Sequence, residues 1–415
     1  MTVSSFAWLF AMTLLLTTVT KIWLALRHLR HIAAHRDQVP QAFSARIGLD
    51  EHQKAADYTT AKTRFSILKL SFDALLLLAL TLGGGVQWIA DVCTQAPLSP
   101  LLQGMLTVIA VLLLSSVLEM PFDWYNTFVL EAGFGFNKMT PALYLQDTLK
   151  GWLVGAVLGM PLLWLVLWLM ARMGEYWWLY VWVTWVAFNL LVLLIYPTFI
   201  APLFNKFQPL VEGEMKTHIE TLLRRCGFKA QGLFVMDGSR RSAHGNAYFT
   251  GFGRSKRIVF FDTLLERLNI PEVEAVLAHE LGHFHHRHIV KRMVLIFALS
   301  LGFLWVLGQL MQTGWFYQGL GVNTPNMALA LLLFFMVLPL FSFWFNPLMS
   351  AYSRLHEFQA DRYAAVQTNS HDLISALVKL YQDNAATLTP DPLYSQFYDS
   401  HPPAAVRIAH LQACS

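Results

Sequence analysis

Residues 278–283 read Ala278-His279-Glu280-Leu281-Gly282-His283, and residues 357–361 read Glu357-Phe358-Gln359-Ala360-Asp361. The first stretch has the form H-E-x-x-H. On a helix of 3.6 residues per turn, positions i and i+4 lie one above the other. His279 and His283 therefore offer their imidazoles to one metal ion. Glu280 sits beside them, within reach as a general base on a metal-bound water. Two imidazoles plus a carboxylate with an open fourth position is the catalytic zinc pattern, so zinc is the expected metal.

The spacing works only on a helix, and the flanks specify one. Asn269 suits an N-cap, Pro271 a first turn, and Glu272 and Glu274 the positive end of the helix dipole. Val273, Val276 and Leu277 give an apolar stripe of helical period. A third ligand is still needed. The extended form H-E-x-x-H-x-x-G-x-x-H fails, since position 286 is His and position 289 is Ile. His285, His286 and His288 read as a basic, surface-facing helix end, where histidine complements the dipole. Glu357 is the stronger candidate. It lies among Leu355, Phe358, Ala360, Tyr363 and Ala364, a mixed stretch that reads as helix. Asp361, one turn on, is placed to accept a hydrogen bond from the far nitrogen of a ligating histidine and so fix its tautomer. A solvated acidic helix face is the competing reading of Glu357 and Asp361, and these residues alone leave the two in balance.

Of the 415 residues, 55% are hydrophobic and only 13% charged, against about 25% charged in an ordinary soluble domain. That deficit predicts a membrane protein. Cys93, Cys226 and Cys414 lie far apart and form neither a disulfide framework nor a thiolate metal site. Cys414 stands second from the end, where a prenylation box would need it fourth. Seven stretches are apolar over about twenty residues, the length a span requires. They are 5–26, 71–92, 101–120, 151–171, 177–199, 293–311 and 326–346. The first reads as a span and not a signal peptide, because no basic residues precede it and no small-residue cleavage site follows. The third has the least defined ends, crowded by Pro97, Pro100 and Pro121.

Lysine and arginine counts set the orientation. Segment 27–65 carries seven, 201–292 fourteen and the tail after 346 four, whereas 93–100 and 312–325 carry none and 172–176 has only Arg172. Strict alternation puts the N-terminus outside and both motif-bearing segments in the cytoplasm. Within the spans, Lys69 and Asp73 pair or snorkel near an inner end. Asn189 either packs against a neighbouring helix or lines a cavity. Trp177, Trp178 and Trp182 read as interfacial belts.

Segment 201–292 reads as a small mixed domain. Glu212 to Arg225 is an amphipathic helix closed by Gly227. Gly232 to Met236, Ala247 to Phe252 and Arg257 to Phe261 are strand-like, the last two joined by a turn through Gly253, Arg254 and Ser255. A strand edge beside an H-E-x-x-H helix can pair with an extended peptide and hold its scissile carbonyl at the metal. Asn246, at the start of that strand, either holds a substrate carbonyl or simply forms a turn after Gly245. Near the C-terminus, Ser400 suits a cap and Pro402 and Pro403 a helix start. His401 projects from that entry point, either to stabilise an oxyanion or as part of a capped terminal helix, which the residues alone favour.

Taken together these blocks resemble the type I CAAX prenyl endopeptidases, integral-membrane zinc proteases that in eukaryotes cleave farnesylated precursors. The resemblance runs over Pro121 to Glu131, Phe134 to Lys138, Pro202 to Phe207, Asn246 to Phe252, His279 to His283, Glu357 to Asp361, and His401-Pro402-Pro403 with Arg407. It implies a mainly α integral-membrane fold in which seven transmembrane helices enclose a chamber. A cytoplasmic zinc-metalloprotease domain with a small β-sheet or hairpin would cap it. The expected organisation is 1–200 with transmembrane helices 1–5, a catalytic segment 201–292, transmembrane helices 6–7 in 293–346, and a C-terminal segment 347–415 supplying the third ligand. His279, His283 and Glu357 map onto the zinc ligands, one ion per chain, Glu280 onto the catalytic base and Asp361 onto the carboxylate behind a ligand. Asn246, His401 and Arg407 match positions associated with substrate alignment and transition-state support. The chain is shorter than typical eukaryotic members and lacks an ER retention signal, which suggests a bacterial homologue in an inner membrane. In a eukaryote the ER membrane is the expected location.

The expected activity is zinc-dependent cleavage of prenylated or similar membrane-associated peptides at the cytoplasmic face, with the lipid bilayer and a peptide as partners and no nucleic acid. Turnover of damaged membrane proteins keeps the same chemistry on another substrate. A metal transporter is the reading of another class, but the spans carry almost no ligand-type residues at midplane depth. An intramembrane protease would embed H-E-x-x-H in an apolar span, whereas Arg287, Lys291 and Arg292 follow it here.

Overall fold

The computed structural model describes residues 1–228, 232–250 and 257–414. Its apolar segments are helices, as hydrocarbon requires of a backbone that must satisfy its own N–H and C=O groups. In chain order these begin with α1 (Val3–His35), α2 (Leu49–Leu80), α3 (Gly85–Thr94), α4 (Pro100–Tyr125), α5 (Pro141–Arg172) and α6 (Trp177–Ile195). Two π-helical turns follow prolines or contain them: Asn126–Glu131 extends α4 beyond Pro121, and Tyr196–Ile200 extends α6 through Pro197. Among the described residues six helices are long and apolar enough to cross a membrane, or seven if α2 and α3, bent by 51°, count as one span.

Stretch 71–92, expected as one span, is thus two helices. The cause is the run Gly83-Gly84-Gly85. Gly84 has φ +76°, open to glycine but strained for other residues. A Cβ on Gly83 would lie 2.6 Å from the Ala79 carbonyl oxygen. The helices also overshoot their apolar stretches. The 33 residues of α1 rise about 50 Å at 1.5 Å each, well past a hydrocarbon core of about 30 Å. Much of the basic segment 27–65, expected as loop, is therefore helix. Trp177 is buried, and Trp182 donates its indole N–H to the Phe297 carbonyl at 2.8 Å. These two join α6 to its neighbour and do not form a belt. Asn189 satisfies its amide within its own helix, on the Trp185 carbonyl.

Beyond the spans come α7 (Ala201–Phe204), β1 (Phe207–Pro209), α8 (Glu214–Arg225), β2 (Gly232–Met236), β3 (Ala247–Thr250), β4 (Arg257–Phe261) and α9 (Asp262–Leu265). The sheet order is β1-β2-β4-β3, with β2 parallel to β4 and the outer pairs antiparallel. β3 is therefore an edge strand. The rest of the expected strand, 251–252, and the turn through Gly253, Arg254 and Ser255 lie outside the described residues. Gly227, at φ +64°, ends α8 as expected, with the Phe228 N–H donating to the Leu223 carbonyl.

Then come α10 (Ile270–His285), α11 (His288–Leu310), α12 (Gly314–Gln318), α13 (Met327–Ser342), α14 (Asn346–Gln367), α15 (Ser370–Asp383), α16 (Pro392–Tyr398) and α17 (Ala404–Ala413). α10 starts as a capping box. The Glu272 N–H donates to the Asn269 side chain at 3.0 Å, and the Asn269 N–H donates to the Glu272 carboxylate at 2.9 Å. Its apolar face (Val273, Leu277, Ala278, Leu281) is buried with Ile219 and Leu222 of α8, Ile258 and Phe260 of β4, and Ala364 of α14. α13 runs through a short turn at Phe343–Phe345 into α14, so the last span continues as one 41-residue helical run.

α10 and α14 touch at backbone distance. A Cβ on Gly282 would lie 2.9 Å from Ala360 Cα, 3.1 Å from its carbonyl oxygen and 3.2 Å from Tyr363 Cβ. Backbone atoms cannot rotate aside as a side chain can. We expect Gly282→Ala to force the helices apart and to cost about 1–3 kcal/mol, read as a lowered unfolding temperature of the purified chain. Gly302→Ala on α11, where a Cβ meets nothing within 4 Å, is the neutral control. Equal melting of the two variants would refute the tight contact.

Candidate active site

The capping box starts α10 in the register that puts His279 and His283 on one face, and their Nε2 atoms lie 3.3 Å apart. α14 brings Glu357 across the Gly282 contact. Its Oε2 is 3.3 Å from His279 Nε2, and its Oε1 is 3.4 Å from His283 Nε2. The three residues form a group able to hold a metal ion. Ligand distances of about 2.0–2.1 Å around a tetrahedral ion place neighbouring donors about 3.3–3.4 Å apart. The imidazole pair matches one edge of such a tetrahedron, and each Glu357 oxygen lies at edge distance from one of the two imidazoles. Glu357 is 4% exposed, and its Oε2 has no hydrogen-bond partner among the described residues. A buried carboxylate oxygen left so is costly, and a cation at this point would satisfy it.

Behind His279, its Nδ1 lies 2.8 Å from Asp361 Oδ1, with Asp361 fully buried. Arg407 of α17 grips the same carboxylate, Nε to Oδ2 at 2.9 Å and a terminal nitrogen to Oδ1 at 2.5 Å. A further guanidinium nitrogen stands 3.9 Å from Glu357 Oε2. Burial pushes the Asp361 pKa up, but the hydrogen bonds from His279 and Arg407 outweigh it and hold it below the usual carboxylate range. Glu357 is likewise raised by burial, yet His279 and the nearby cationic groups bring it down to about 2. Burial disfavours charge on His279, but Asp361 and Glu357 lift it to about 9. Burial and the His279 charge push His283 down to about 3. Glu280 is raised, first by burial. It makes no hydrogen bond among the described residues, and it lines the cavity at the site.

That cavity, of about 510 Å³, is also lined by Asn246, His279, His401 and Arg407. It adjoins one of about 720 Å³ through His244, Tyr381, Asn384 and His401. The larger one adjoins a third of about 280 Å³ through Ser66, Tyr394 and Tyr398. This third cavity is walled by Lys21, Lys69 and Asp73 of the membrane helices, with Lys69 3.3 Å from Asp73. The helices thus surround a chamber that ends at the histidine cluster.

The fold groups His279, His283, Glu357, Asp361, His401 and Arg407 within 3.9 Å of one or another of the set, and Asn246 and Glu280 line the adjoining cavity. Asn246 is exposed at the start of β3, its Oδ1 accepting from the Ala247 N–H at 2.8 Å. His401 Nε2 stands 3.5 Å from Glu357 Oε1, and 61% of its side chain is exposed. Ser400 is not the expected cap. Pro403 precedes α17, and the Ser400 hydroxyl lies 3.0 Å from His401 Nδ1 instead. Arg407 is committed mainly to Asp361. The expected surface-facing histidines need one correction. His285 is exposed, but His288 is 4% exposed, with its Nδ1 3.0 Å from His283 Nδ1 and its Nε2 2.8 Å from Gln359 Oε1. Helical spacing could not place it, because Arg287, at φ +57°, breaks the helix between His283 and His288.

Comparison with known proteins agrees with this geometry. Residues 28–206 match the family model described as the CAAX prenyl protease N-terminal region with five membrane helices, and residues 209–415 match peptidase family M48. CAAX prenyl protease 1 homolog of Caenorhabditis elegans is 35% identical over 92% of this chain and 93% of its own length. CAAX prenyl protease 1 of Saccharomyces cerevisiae is 34% identical over 91% and 89%. The crystal structure of S. mikatae Ste24p superposes with a TM-score of 0.92 at 30% identity, covering 98% of this chain and 99% of that one. Membership of a peptidase family over nearly the whole length sets the transporter reading aside. The chain belongs to the CAAX prenyl protease family and is a multi-pass membrane metalloendopeptidase of the M48 type.

Proposed function

We propose that the chain cleaves peptide bonds near the C-terminus of prenylated, CAAX-type peptides, with His279, His283 and Glu357 holding a zinc ion. The observation that carries this is the meeting of three donors, with His279 and His283 Nε2 3.3 Å apart and a Glu357 oxygen 3.3 Å from one and 3.4 Å from the other, Oε2 having no hydrogen-bond partner among the described residues, beside the Glu280 carboxylate. Zinc bound there supplies a Lewis acid for the scissile carbonyl and makes water acidic near neutral pH. Glu280 takes the proton from the attacking water as its oxygen bonds to the carbonyl carbon. It then delivers that proton to the amine as the carbon–nitrogen bond breaks. Its raised pKa suits both steps.

Asp361 orients His279, and Arg407 holds Asp361 while presenting its edge to the cavity where substrate lies. His401, 3.5 Å from Glu357 and lining the same cavity, donates to the oxyanion. Asn246 and the free edge of β3 take the extended peptide by strand addition. The proposed division of labour gives 1–200 and 293–346 the membrane and chamber, 201–292 the histidine helix, and 347–415 the acidic ligand. The basic segments 27–65 and 201–292 support a site on the cytoplasmic side.

Glu280→Gln should keep wild-type zinc content while cleavage of a fluorogenic CAAX-type peptide falls at least about 100-fold. Retained cleavage would exclude Glu280 as the base. Stripping the wild-type chain with a chelator should abolish cleavage, and added zinc should restore it. For the substrate, kcat/KM on a farnesylated peptide should exceed that on its unprenylated twin at least about tenfold, a difference of about 1.4 kcal/mol. Equal turnover of the two would favour a general membrane-protein protease.

A further inference from the structure

We propose that His288 is a positioning residue for His283, accepting its Nδ1–H and so fixing the tautomer that leaves Nε2 free for the metal. The inference rests on the metal reading above. His283 Nε2 faces His279 Nε2 and Glu357 Oε1 at 3.3 and 3.4 Å, and its other ring nitrogen is 3.0 Å from His288 Nδ1. Two imidazole nitrogens at that distance share one proton. An imidazole that ligates through Nε2 carries its proton on Nδ1, so His288 Nδ1 must be the acceptor. Its own proton then sits on Nε2, which lies 2.8 Å from Gln359 Oε1. Each link has one donor and one acceptor, ending on an amide oxygen of α14. The reverse assignment would put a proton on His283 Nε2, facing Glu357 and blocking ligation.

Position 288 is held for this purpose by backbone and packing together. On a continuous helix, i+5 would sit about 140° around the axis from His283. Arg287 enters the left-handed region at φ +57°, which turns the chain and makes His288 the first residue of α11. A non-glycine residue there is strained and persists only where the surrounding packing holds it. The imidazole is buried and stacks face to face on His356 at 3.9 Å and 10°, and His356 in turn meets Tyr352 at 4.3 Å. The two histidines of the motif thus have different outer partners, a carboxylate for His279 and a neutral ring for His283.

The test measures zinc affinity of the detergent-purified full chain by chelator competition, with thermal unfolding of the stripped protein alongside. His288→Phe keeps the stack on His356 but cannot accept a hydrogen bond. Its zinc affinity should fall about 10–100-fold with unfolding unchanged. His288→Asn places an amide oxygen where Nδ1 was and should recover affinity to within about threefold of wild type, about 0.65 kcal/mol. Gln359→Glu, which only accepts, should bind at least as tightly as wild type. Wild-type affinity in His288→Phe, equal losses in the Phe and Asn variants, or weakened binding in Gln359→Glu would overturn the proposal. If His288→Phe does not fold, the other two variants decide by the same limits. A wild-type chain that takes up no zinc would overturn the proposed function instead.

Discussion

Glu357 and Asp361 are buried one turn apart on α14, and a carboxylate left uncompensated in such a place costs several kcal/mol. The surroundings compensate the two unequally. Asp361 takes hydrogen bonds from His279 and Arg407 on both of its oxygens. Glu357 is ringed by nitrogens of His279, His283 and His401 at 3.3–3.5 Å, yet one oxygen keeps no hydrogen-bond partner among the described residues. Protein alone satisfies the first acid. The second would be satisfied by a cation shared with two imidazoles, as proposed above, and that inequality separates a structural carboxylate from a proposed ligand where sequence sees only two acids on one helix.

Both helices that meet at the site lead directly into membrane spans, α14 without a break and α10 through the left-handed turn at Arg287. α14 prolongs α13, and α11 begins three residues after α10 ends. The close approach at Gly282 and Ala360 therefore fixes the donor spacing and the angle between two spans at once. A third tie runs through Glu131, in the π-helical turn after α4. It accepts from the Tyr58 hydroxyl of α2 at 2.5 Å and stands 3.5 Å from His244 Nε2. His244 lies just before Asn246, and backbone pairing of 136–138 with 241–243 reinforces the link. The edge strand proposed to receive peptide is thus anchored on the membrane helices and not only on its own sheet.

What could be read in the sequence was whatever repeats along one regular element. His279, Glu280 and His283 share a helix whose cap, Asn269, announces itself, and Glu357 and Asp361 share another. The strands Gly232–Met236 and Arg257–Phe261 and the glycine after α8 were also legible, because alternation and left-handed caps leave local marks. What escaped depends on a single break or on long-range packing. Arg287 leaves the helix for one residue and thereby turns His288 inward. Gly84 bends what hydropathy reads as one span. Trp177 has the composition of a belt residue, but the neighbouring helix buries it. Hydropathy also stops at residue 346, where the bilayer would stop, although the helix continues to Gln367 because α10 packs on it.

Ionisable residues at membrane depth are costly unless they face water or one another. Lys69 lies 3.3 Å from Asp73 and 3.6 Å from Glu119, and Lys21, Lys69 and Asp73 wall the cavity that opens toward the site. Their charges mark the inner surface of the helix ring, so the chamber wall is polar where the outer surface is apolar. An extended peptide substrate, as proposed, would find partners there for its backbone groups, which hydrocarbon would deny it. A folded domain already satisfies its own backbone and is far larger than cavities of a few hundred cubic ångströms. On the proposed function, selection for unfolded tails would follow from this enclosure, before any side chain of the proposed ligand set is reached.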